Sequence, residues 1–194
     1  MYDFHVHSNF SDDCNYSMEE MVEGAIKNGL SSMTFTDHMD HDYGNCEYDF
    51  IFNVDDYFRE FNKVKDNFKD KIKLLSGVEI GMQPHLITKI HDLIPIDKFD
   101  FVIMSIHTAK GQELHEGDFY KGKTASKAYS DYYEDLYNCI KNFDDFDIVG
   151  HVNIIDRYTK FLENPEINFK EYKPLVVEVF KQIISKDKGI EINT

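Results

Sequence analysis

The first segment of the chain, YDFHVHSNFSDD at residues 2–13, combines two histidines with a pair of aspartates. His5 and His7 stand within an alternation of apolar and polar side chains that is typical of a β-strand. Side chains two residues apart on a strand point to the same side, so both imidazoles can bind one metal ion. Asp12 and Asp13 close the following loop and add carboxylates nearby. The segment predicts a metal site, although a single His-x-His pair is weak support for one.

Other predicted strands also end in side chains that bind metals. The second strand ends in Asp37-His38, the third in Glu79, the fourth in His107 and the fifth in His151. The carboxyl ends of the strands in a parallel barrel lie on one face, and active sites are found there. The pattern therefore predicts that these side chains converge with those of the first strand. Together they exceed the needs of one ion, which indicates a centre with several ions.

Taken singly, each of these residues also fits a role without metal. The Asp37-His38 pair is typical of a turn or helix cap, and His107 and His151 are typical of hydrogen-bonded structural histidines. Glu79, inside an apolar strand, fits an edge strand that faces solvent equally well. As a set, imidazoles and carboxylates without cysteine suit zinc, manganese or iron. A bridging carboxylate between two ions about 3.5–4 Å apart is the usual arrangement for hydrolysing phosphate esters.

Strand-like and helix-like segments alternate along the chain. Strands are predicted for YDFHVH, SSMTFTDH, KIKLLSGVEIG, FDFVIMSIH, FDIVGH and KGIEINT. The helices between them include one capped by Ser17 and Glu20, one over residues 125–142, and one that begins at Pro174 and turns Ile184 toward the core. This alternation predicts an α/β fold with a parallel sheet, either open or closed into a barrel. The glycine-rich loop of nucleotide-binding folds is absent from the sequence.

Length and composition are typical of one globular domain that covers residues 1–194. Hydrophobic residues make up 42% of the sequence and the formal net charge is −15, which disfavours nucleic acid and anionic membranes as partners. The sequence lacks the apolar run of about 20 residues that a membrane span needs. Cys14, Cys46 and Cys139 are too few and too scattered for a disulfide framework or a zinc ribbon. We therefore expect a reduced, cytoplasmic protein.

The ordered motifs of this chain resemble those of the PHP (polymerase and histidinol phosphatase) superfamily. In chain order they are His5-Val-His7, Thr36-Asp37-His38, Gly77-Val-Glu79, Ser105-Ile-His107 and Gly150-His151. The segments FDFVIMSIHTAKG, DFYKGKTASKAYSDYYEDLYNCIKNF, FDIVGHVNIIDRY and KGIEINT are similar to the histidinol-phosphate phosphatase branch of that superfamily. The resemblance covers essentially the whole chain. It implies a distorted (β/α)7 barrel of the TIM type with a trinuclear metal centre.

The resemblance also implies which residues bind the first two ions. His5, His7 and Glu79 would hold the first ion. Glu79 would bridge to a second ion, whose ligands His107 and His151 complete. The two ions would then share one carboxylate at the centre of the site.

The third ion and the surrounding carboxylates follow from the same resemblance. Asp13 and His38 would hold the third ion, with Asp12 as the less favoured alternative to Asp13. Asp3 and Asp37 would accept hydrogen bonds from imidazoles and so orient the metal-binding histidines. In all, two to three divalent ions (zinc, manganese or iron) are expected.

One motif of the family is absent from this sequence. In the family an Asp-x-His follows on a further strand, with its Asp on the first ion and its His on the third. We therefore expect about six strands, a missing last unit, and a complete set of protein ligands only for the ion of Glu79, His107 and His151. A truncated gene product, a partial polypeptide and a second polypeptide that supplies the remainder are the open explanations. The exposed edges of the first and sixth strands would favour a homodimer.

The activity that the resemblance implies is hydrolysis of L-histidinol phosphate, a small phosphorylated substrate, to L-histidinol and phosphate in histidine biosynthesis. The ions would polarise the phosphoryl oxygens, with Glu79 as the catalytic bridge. Arg157, just after the fifth strand, is the expected catalytic and substrate-binding residue, since a guanidinium pairs with two phosphate oxygens. A surface ion pair of Arg157 with Asp156 or Glu163 is the alternative.

Three other functions stay open on the sequence alone. The same fold could hydrolyse another small phosphate ester, such as a nucleotide or a sugar phosphate. The missing motif could leave an inactive protein that still binds metal. An amidohydrolase-type barrel also begins with His-x-His, but such barrels usually place a metal-bridging lysine at a strand end, where this chain has Glu79.

Overall fold

A computed structural model describes residues 1–44 and 50–192 of the chain. Strands and helices alternate along it, as the sequence predicts. The strands are β1 (Tyr2–Val6), β2 (Ser32–Asp40), β3 (Phe50–Ile51), β4 (Lys73–Gly81), β5 (Phe101–Ser105), β6 (Thr108–Ala109), β7 (Gln112–Glu113), β8 (Ile148–Val149) and β9 (Gly189–Ile190). The α-helices are α1 (Met18–Lys27), α2 (Val54–Phe68), α3 (Ile90–Leu93), α4 (Ala125–Asn142) and α5 (Phe169–Ser185), and 3-10 helices cover Ile96–Lys98, Asp118–Tyr120 and Ile154–Phe161.

A curled parallel sheet organises the molecule. Its strands follow the order β1-β2-β4-β5-β8-β9, and every neighbouring pair is parallel. The short β3 pairs antiparallel with β2, and β6 forms a separate hairpin with β7. Strands that are consecutive in the sheet are joined over helices or loops on its outside, which is the barrel pattern. The predicted α/β, TIM-like fold with about six strands is confirmed.

The helices begin where side chains satisfy their first backbone N–H groups. Ser17 and Glu20 form the predicted capping box at the start of α1, and Gly29 takes a φ of 76° after its end. Thr124 caps α4, whose bounds agree with the predicted residues 125–142. α1 packs against α2 and β2, and α4 packs against α5.

The last helix corrects two predictions. It begins at Phe169, capped by the side chain of Asn168, so Pro174 lies inside it rather than at its first turn. The cap decides where the helix begins, because the Asn168 side chain accepts a hydrogen bond from a backbone N–H that has no partner in the first turn. Pro174 removes one N–H donor further along the helix and does not set its start. Ile184 is 75% exposed, because the neighbouring Ile183 faces the core and successive helical positions point about 100° apart.

Tyr57 ties α2 to the centre of the sheet. Its side chain is fully buried, and its hydroxyl lies 3.2 Å from the carbonyl oxygen of Phe35 and 3.1 Å from that of Gly77. The N–H of Gly77 donates to the same hydroxyl over 3.2 Å. A Cβ atom at Gly77 would lie 2.8 Å from the Phe35 oxygen and 2.9 Å from the Phe101 oxygen, so only glycine fits. Tyr57 therefore stabilises β4 at the point where it leads into the predicted site.

The two outer strands of the sheet carry exposed apolar side chains. Within the described ranges, β1 pairs only with β2 and β9 only with β8. Tyr2 and Phe4 on β1 and Ile192 after β9 are exposed to solvent. Such edges fit the expected homodimer, which stays a prediction, as does a single domain over residues 1–194.

The remaining sequence predictions concern cysteines, membranes and the end of the chain. Cys14 and Cys139 are free thiols. Cys46 lies outside the described residues, as do Asn193 and Thr194 at the end of the predicted sixth strand. Among the helices described, none is long and apolar enough to span a membrane.

Replacing Tyr57 with Phe tests the link between α2 and the sheet. The change removes the buried hydroxyl that hydrogen-bonds the carbonyl oxygens of Phe35 and Gly77 and the N–H of Gly77, so we expect the free energy of unfolding to fall by about 1–3 kcal/mol. Urea denaturation followed by circular dichroism measures it. Tyr16→Phe, at a ring that is 61% exposed, is the matched control and should change stability by less than about 0.5 kcal/mol. Equal stability of the Tyr57→Phe variant and the parent would contradict this role.

Candidate metal centre

A cavity of about 1030 Å³ opens at the carboxyl ends of the parallel strands. Its position follows from the sheet, because His38 of β2 lies beside Glu79 of β4 in the register. His107 and His151 each stand two residues beyond the end of their strand, β5 and β8. All seven residues that were predicted to bind metal line this cavity: His5, His7, Asp13, His38, Glu79, His107 and His151.

One oxygen of Glu79 faces the imidazoles of the first two strands. Glu79 is fully buried, and its Oε2 lies 3.0 Å from His5 Nε2, 3.2 Å from His7 Nε2 and 3.4 Å from His38 Nδ1. His5 Nε2 and His7 Nε2 are 3.1 Å apart. Three ring nitrogens therefore point at one carboxylate oxygen from β1, β2 and the loop after β1.

The other oxygen of Glu79 faces the two later strands. Its Oε1 lies 2.9 Å from His151 Nε2 and 3.3 Å from His107 Nε2, and it accepts a hydrogen bond of 2.6 Å from the Ser105 hydroxyl. A Cβ atom at Gly150 would lie 2.3 Å from the Ser105 oxygen, so glycine leaves room for that hydroxyl. The carboxylate thus lies between a group of three imidazoles and a group of two, an arrangement that fits the predicted bridging role.

A third group forms around Asp13. Its Oδ2 lies 3.0 Å from His7 Nδ1 and 3.6 Å from His38 Nε2. Burial acts to raise the pKa of Asp13, but hydrogen bonds from His38 and His7 outweigh it and hold the pKa well below its usual range. Asp12 also lines the cavity but is exposed and makes neither of these contacts. The geometry therefore favours Asp13 over Asp12.

Asp3 and Asp37 do not contact the imidazoles, so the prediction that they orient histidines is wrong. Asp37 is buried and accepts hydrogen bonds from the Ser8 N–H over 2.6 Å and from the hydroxyls of Ser8 and Ser11. Among the described residues, Asp3 accepts a hydrogen bond from the backbone N–H of His5, over 3.2 Å, and from no imidazole. The loop after β1 brings its own donors to Asp37, which therefore shapes that loop instead.

Asp40 and Glu191 are two further carboxylates that contact imidazoles of the cluster, and the sequence analysis missed both. Asp40 is buried, and its Oδ2 lies 2.7 Å from Nδ1 of His107. A Cβ atom at Gly81 would lie 2.4 Å from the Asp40 carboxylate, so glycine makes room for it. Asp40 stands two residues after His38 on one strand, a spacing that turns both side chains to the same face.

Glu191 follows β9 and meets the first strand. Its Oε1 lies 2.9 Å from His5 Nδ1. The signal in the sequence is that Glu191 ends the sixth strand as Glu79 ends the third. The strand-end pattern therefore includes the last strand as well.

The carboxylates decide the protonation of the metal-free site. Burial acts to lower the pKa of His5, but its hydrogen bond to Glu191 and the nearby carboxylate of Glu79 raise the pKa to about 10. Burial likewise opposes charge on His107, yet Asp40 and Glu79 raise its pKa to about 9. His151 is the exception, since its burial prevails over Glu79 and lowers its pKa. The metal-free cluster therefore holds protons that a bound ion would displace.

The donor atoms fit divalent ions. Three groups offer one ligand atom per residue with all atoms within 4.8 Å of one another. Among the described residues, buried Glu79 Oε2, His38 Nδ1 and His151 Nδ1 have no hydrogen bond of good geometry, so their lone pairs are open to an ion. Imidazole and carboxylate donors suit zinc, manganese and iron. The groups are His5, His7 and Glu79; His7, Asp13 and His38; and His38, Glu79 and His107.

Comparison with known proteins identifies the family of this chain. A model of the PHP domain matches residues 3–194. This chain belongs to the PHP domain family. The PHP domain described here is 34% identical over 193 residues to histidinol-phosphatase of Lactococcus lactis, covering 99% of this chain and 71% of that relative. It is 32% identical over 194 residues to a probable histidinol-phosphatase of Clostridium acetobutylicum, covering 100% of this chain and 73% of the relative.

Solved structures share the fold of this PHP domain. The crystal structure of histidinol phosphate phosphatase from Lactococcus lactis, complexed with zinc, L-histidinol and phosphate, matches with a TM-score of 0.88 and 33% identity. The match covers 99% of this chain and 72% of that one. The predicted resemblance to the histidinol-phosphate phosphatase branch is confirmed. The expected absence of a final Asp-x-His motif stays a prediction.

Replacing Glu79 with Gln tests the bridging carboxylate. The change keeps the size of the side chain but removes the negative charge that five imidazoles surround. We expect bound metal to fall and turnover to drop by at least ~10²-fold. Elemental analysis and phosphate release on the same sample measure both. Glu116→Gln, on the exposed surface, is the control; unchanged activity of Glu79→Gln would refute the bridge.

Zinc binding should release protons from the metal-free protein. With pKa values of about 10 and about 9, His5 and His107 are protonated at pH 7, and only the neutral imidazole binds an ion. Apparent zinc affinity should therefore rise with pH between 6 and 9. Calorimetric titrations in buffers of different ionisation enthalpy count the protons, with the exposed His91→Gln as control. A binding enthalpy that is independent of the buffer would contradict this protonation state.

Proposed function

We propose that this chain is a metal-dependent histidinol-phosphatase that hydrolyses L-histidinol phosphate to L-histidinol and phosphate. The observation that carries the proposal is the set of imidazoles arranged around both oxygens of one buried carboxylate, Glu79, at the base of the cavity. Membership in the PHP domain family supports it. So does 34% identity to histidinol-phosphatase of Lactococcus lactis, over 99% of this chain.

The chain supplies ligands for two to three divalent ions. When bound, zinc, manganese or iron would polarise the phosphoryl oxygens and activate water for attack in line with the leaving alkoxide. The buried carboxylate between the imidazoles holds the ligand sets together. The proposed ligands are His5, His7 and Glu79 for one ion, His107 and His151 with Glu79 for a second, and Asp13 and His38 for a third.

Arg157 is the proposed phosphate clamp. It lies on the 3-10 helix Ile154–Phe161 and lines the cavity, with its side chain exposed. Within the described residues it forms no ion pair with Asp156 or Glu163, and Asp156 accepts instead from the hydroxyl of Tyr129. The guanidinium is therefore available to donate two hydrogen bonds to phosphate oxygens.

The cavity also suits the organic part of the substrate. L-Histidinol phosphate carries an aromatic imidazole at one end and its phosphate ester at the other. Phe50, Leu114 and Tyr158 line the cavity together with the ligand cluster and offer apolar and aromatic surface. A substrate with both parts uses the whole space, whereas inorganic phosphate fills only the end at the cluster.

Phosphate release from L-histidinol phosphate, compared with a sugar phosphate and a nucleoside monophosphate, tests the proposed function. We expect the highest kcat/KM for L-histidinol phosphate, loss of turnover after a chelator, and recovery with added zinc or manganese. If the protein binds metal but prefers another ester, the proposed substrate is wrong and the proposed phosphoesterase activity stands. A metal-loaded sample without turnover on any ester would contradict both.

Arg157→Ala should mainly raise the KM for L-histidinol phosphate, by about 10-fold or more, because the bidentate contact to phosphate is lost. Metal content should not change, since Arg157 is not a ligand. Arg157→Lys should recover only part of the loss, because an ammonium lacks the paired donors. Arg59→Ala is the control, as Arg59 lies exposed on α2. An unchanged KM would contradict the proposed role of Arg157 in binding phosphate.

A further inference from the structure

Glu191 joins the two opposite edges of the sheet. β1 and β9 stand at the two ends of the strand order, and in a flat sheet of six strands they would lie about 24 Å apart at about 4.8 Å per neighbour. Nevertheless, Oε1 of Glu191 lies 2.9 Å from Nδ1 of His5 on β1. The curl of the sheet has therefore brought its edges together at this level. Among the described residues, the side chain of Glu191 makes this connection.

The carboxylate of Glu191 is held firmly on the side of β8 and β9. Its Oε2 accepts a hydrogen bond of 2.8 Å from the backbone N–H of His151. Its own N–H donates to the carbonyl oxygen of Val149 over 2.9 Å. The side chain is only 17% exposed. Each carboxylate oxygen thus has one donor, and the group is a fixed acceptor for the ring of His5.

This contact decides which ring nitrogen of His5 points toward the cluster. With Nδ1 donating to Glu191, the other ring nitrogen, Nε2, points at Glu79 Oε2 over 3.0 Å. An acceptor behind an imidazole fixes the ring orientation and the nitrogen that carries the proton. Both oxygens of Glu191 already accept hydrogen bonds, from the ring of His5 and from the backbone N–H of His151. It therefore acts through His5 rather than as a ligand.

We propose that Glu191 is a positioning residue for the phosphatase: it locks His5 with Nε2 toward the metal cluster and holds β1 and β9 together around it. The inference rests on the proposed function for its effect on catalysis, but not for its effect on metal binding. His5 and His151 come from opposite sides of the strand order, and Glu191 contacts the ring of His5 and the backbone N–H of His151. It therefore sets their spacing as well as the orientation of His5.

Glu191→Gln is the most informative variant because it preserves size. The carboxamide oxygen can still accept from the His151 N–H, but the amide nitrogen then presents hydrogens to Nδ1 of His5. A ring that accepts at Nδ1 carries its proton on Nε2, where an ion would bind. We therefore expect Glu191→Gln to weaken zinc binding strongly, although the side chain keeps its size. Glu191→Asp, one methylene shorter, keeps the acceptors and should show an intermediate loss.

Zinc affinity and the spectrum of His5 test the proposal on the folded chain. Competition with a chromophoric chelator should show about 10–100-fold weaker binding of one zinc ion to Glu191→Gln. Long-range ¹H–¹⁵N spectra of the zinc-loaded parent should show His5 protonated at Nδ1 and bound through Nε2, and this signature should be lost in the variant. A His5→Gln variant assigns the signal. The control is Asp66→Asn, which removes an exposed negative charge on α2, outside the cavity, and should keep both properties.

The outcomes separate this inference from the proposed function. Glu191→Gln with the zinc affinity and His5 signature of the parent would overturn the positioning role, whatever its turnover. If Glu191→Gln loses the zinc affinity and the His5 signature while the parent hydrolyses no ester, the positioning role of Glu191 stands and the proposed phosphatase activity is rejected. If circular dichroism shows that Glu191→Gln and Glu191→Asp are both unfolded, Glu191 is a structural residue and the proposal fails. With turnover present, we expect kcat to fall more than KM rises.

Discussion

A carboxylate buried in a parallel sheet is the constraint on which the rest of this structure depends. Glu79 is fully buried between apolar neighbours, and an isolated charge there would be very unfavourable. Burial acts to raise its pKa, but the charges of His38 and His107 prevail and hold the pKa well below its usual range. The acid is therefore stable as an anion only inside a ring of imidazoles or metal ions. The same ring is the proposed catalytic centre.

Small residues make that ring possible. Gly81 leaves room for the carboxylate of Asp40 behind His107, and Gly150 leaves room for the Ser105 hydroxyl that donates to Glu79. Each glycine lies where two strands bring polar groups closer than a Cβ atom would allow. The proposed metal-binding side chains are thus supported by hydrogen bonds from neighbouring strands. Rigid support of this kind is what lets a site hold ions in a defined geometry.

The position of the site could be predicted from the sequence because parallel strands place their carboxyl ends on one face. That rule brought together residues as distant in the chain as His5 and His151 without any knowledge of contacts. It could not assign the supporting carboxylates. Asp37 adjoins His38 in sequence, yet it hydrogen-bonds the loop after β1, while Asp40 contacts His107 from another strand. Adjacent strand positions point to opposite faces, so proximity in sequence misleads here.

The sequence by itself determined the alternation of strands and helices, the fold class and the set of residues that could bind metal, because these depend on local periodicity and on side-chain chemistry. Only the tertiary structure decided which carboxylate meets which imidazole. The contact of Glu191 with His5 depends on how far the sheet curls, which follows from the twist and packing of all its strands together. Likewise, the start of α5 at Phe169 rather than Pro174 was decided by the cap that Asn168 provides in place. Distances across a curved sheet are a property of the assembled fold.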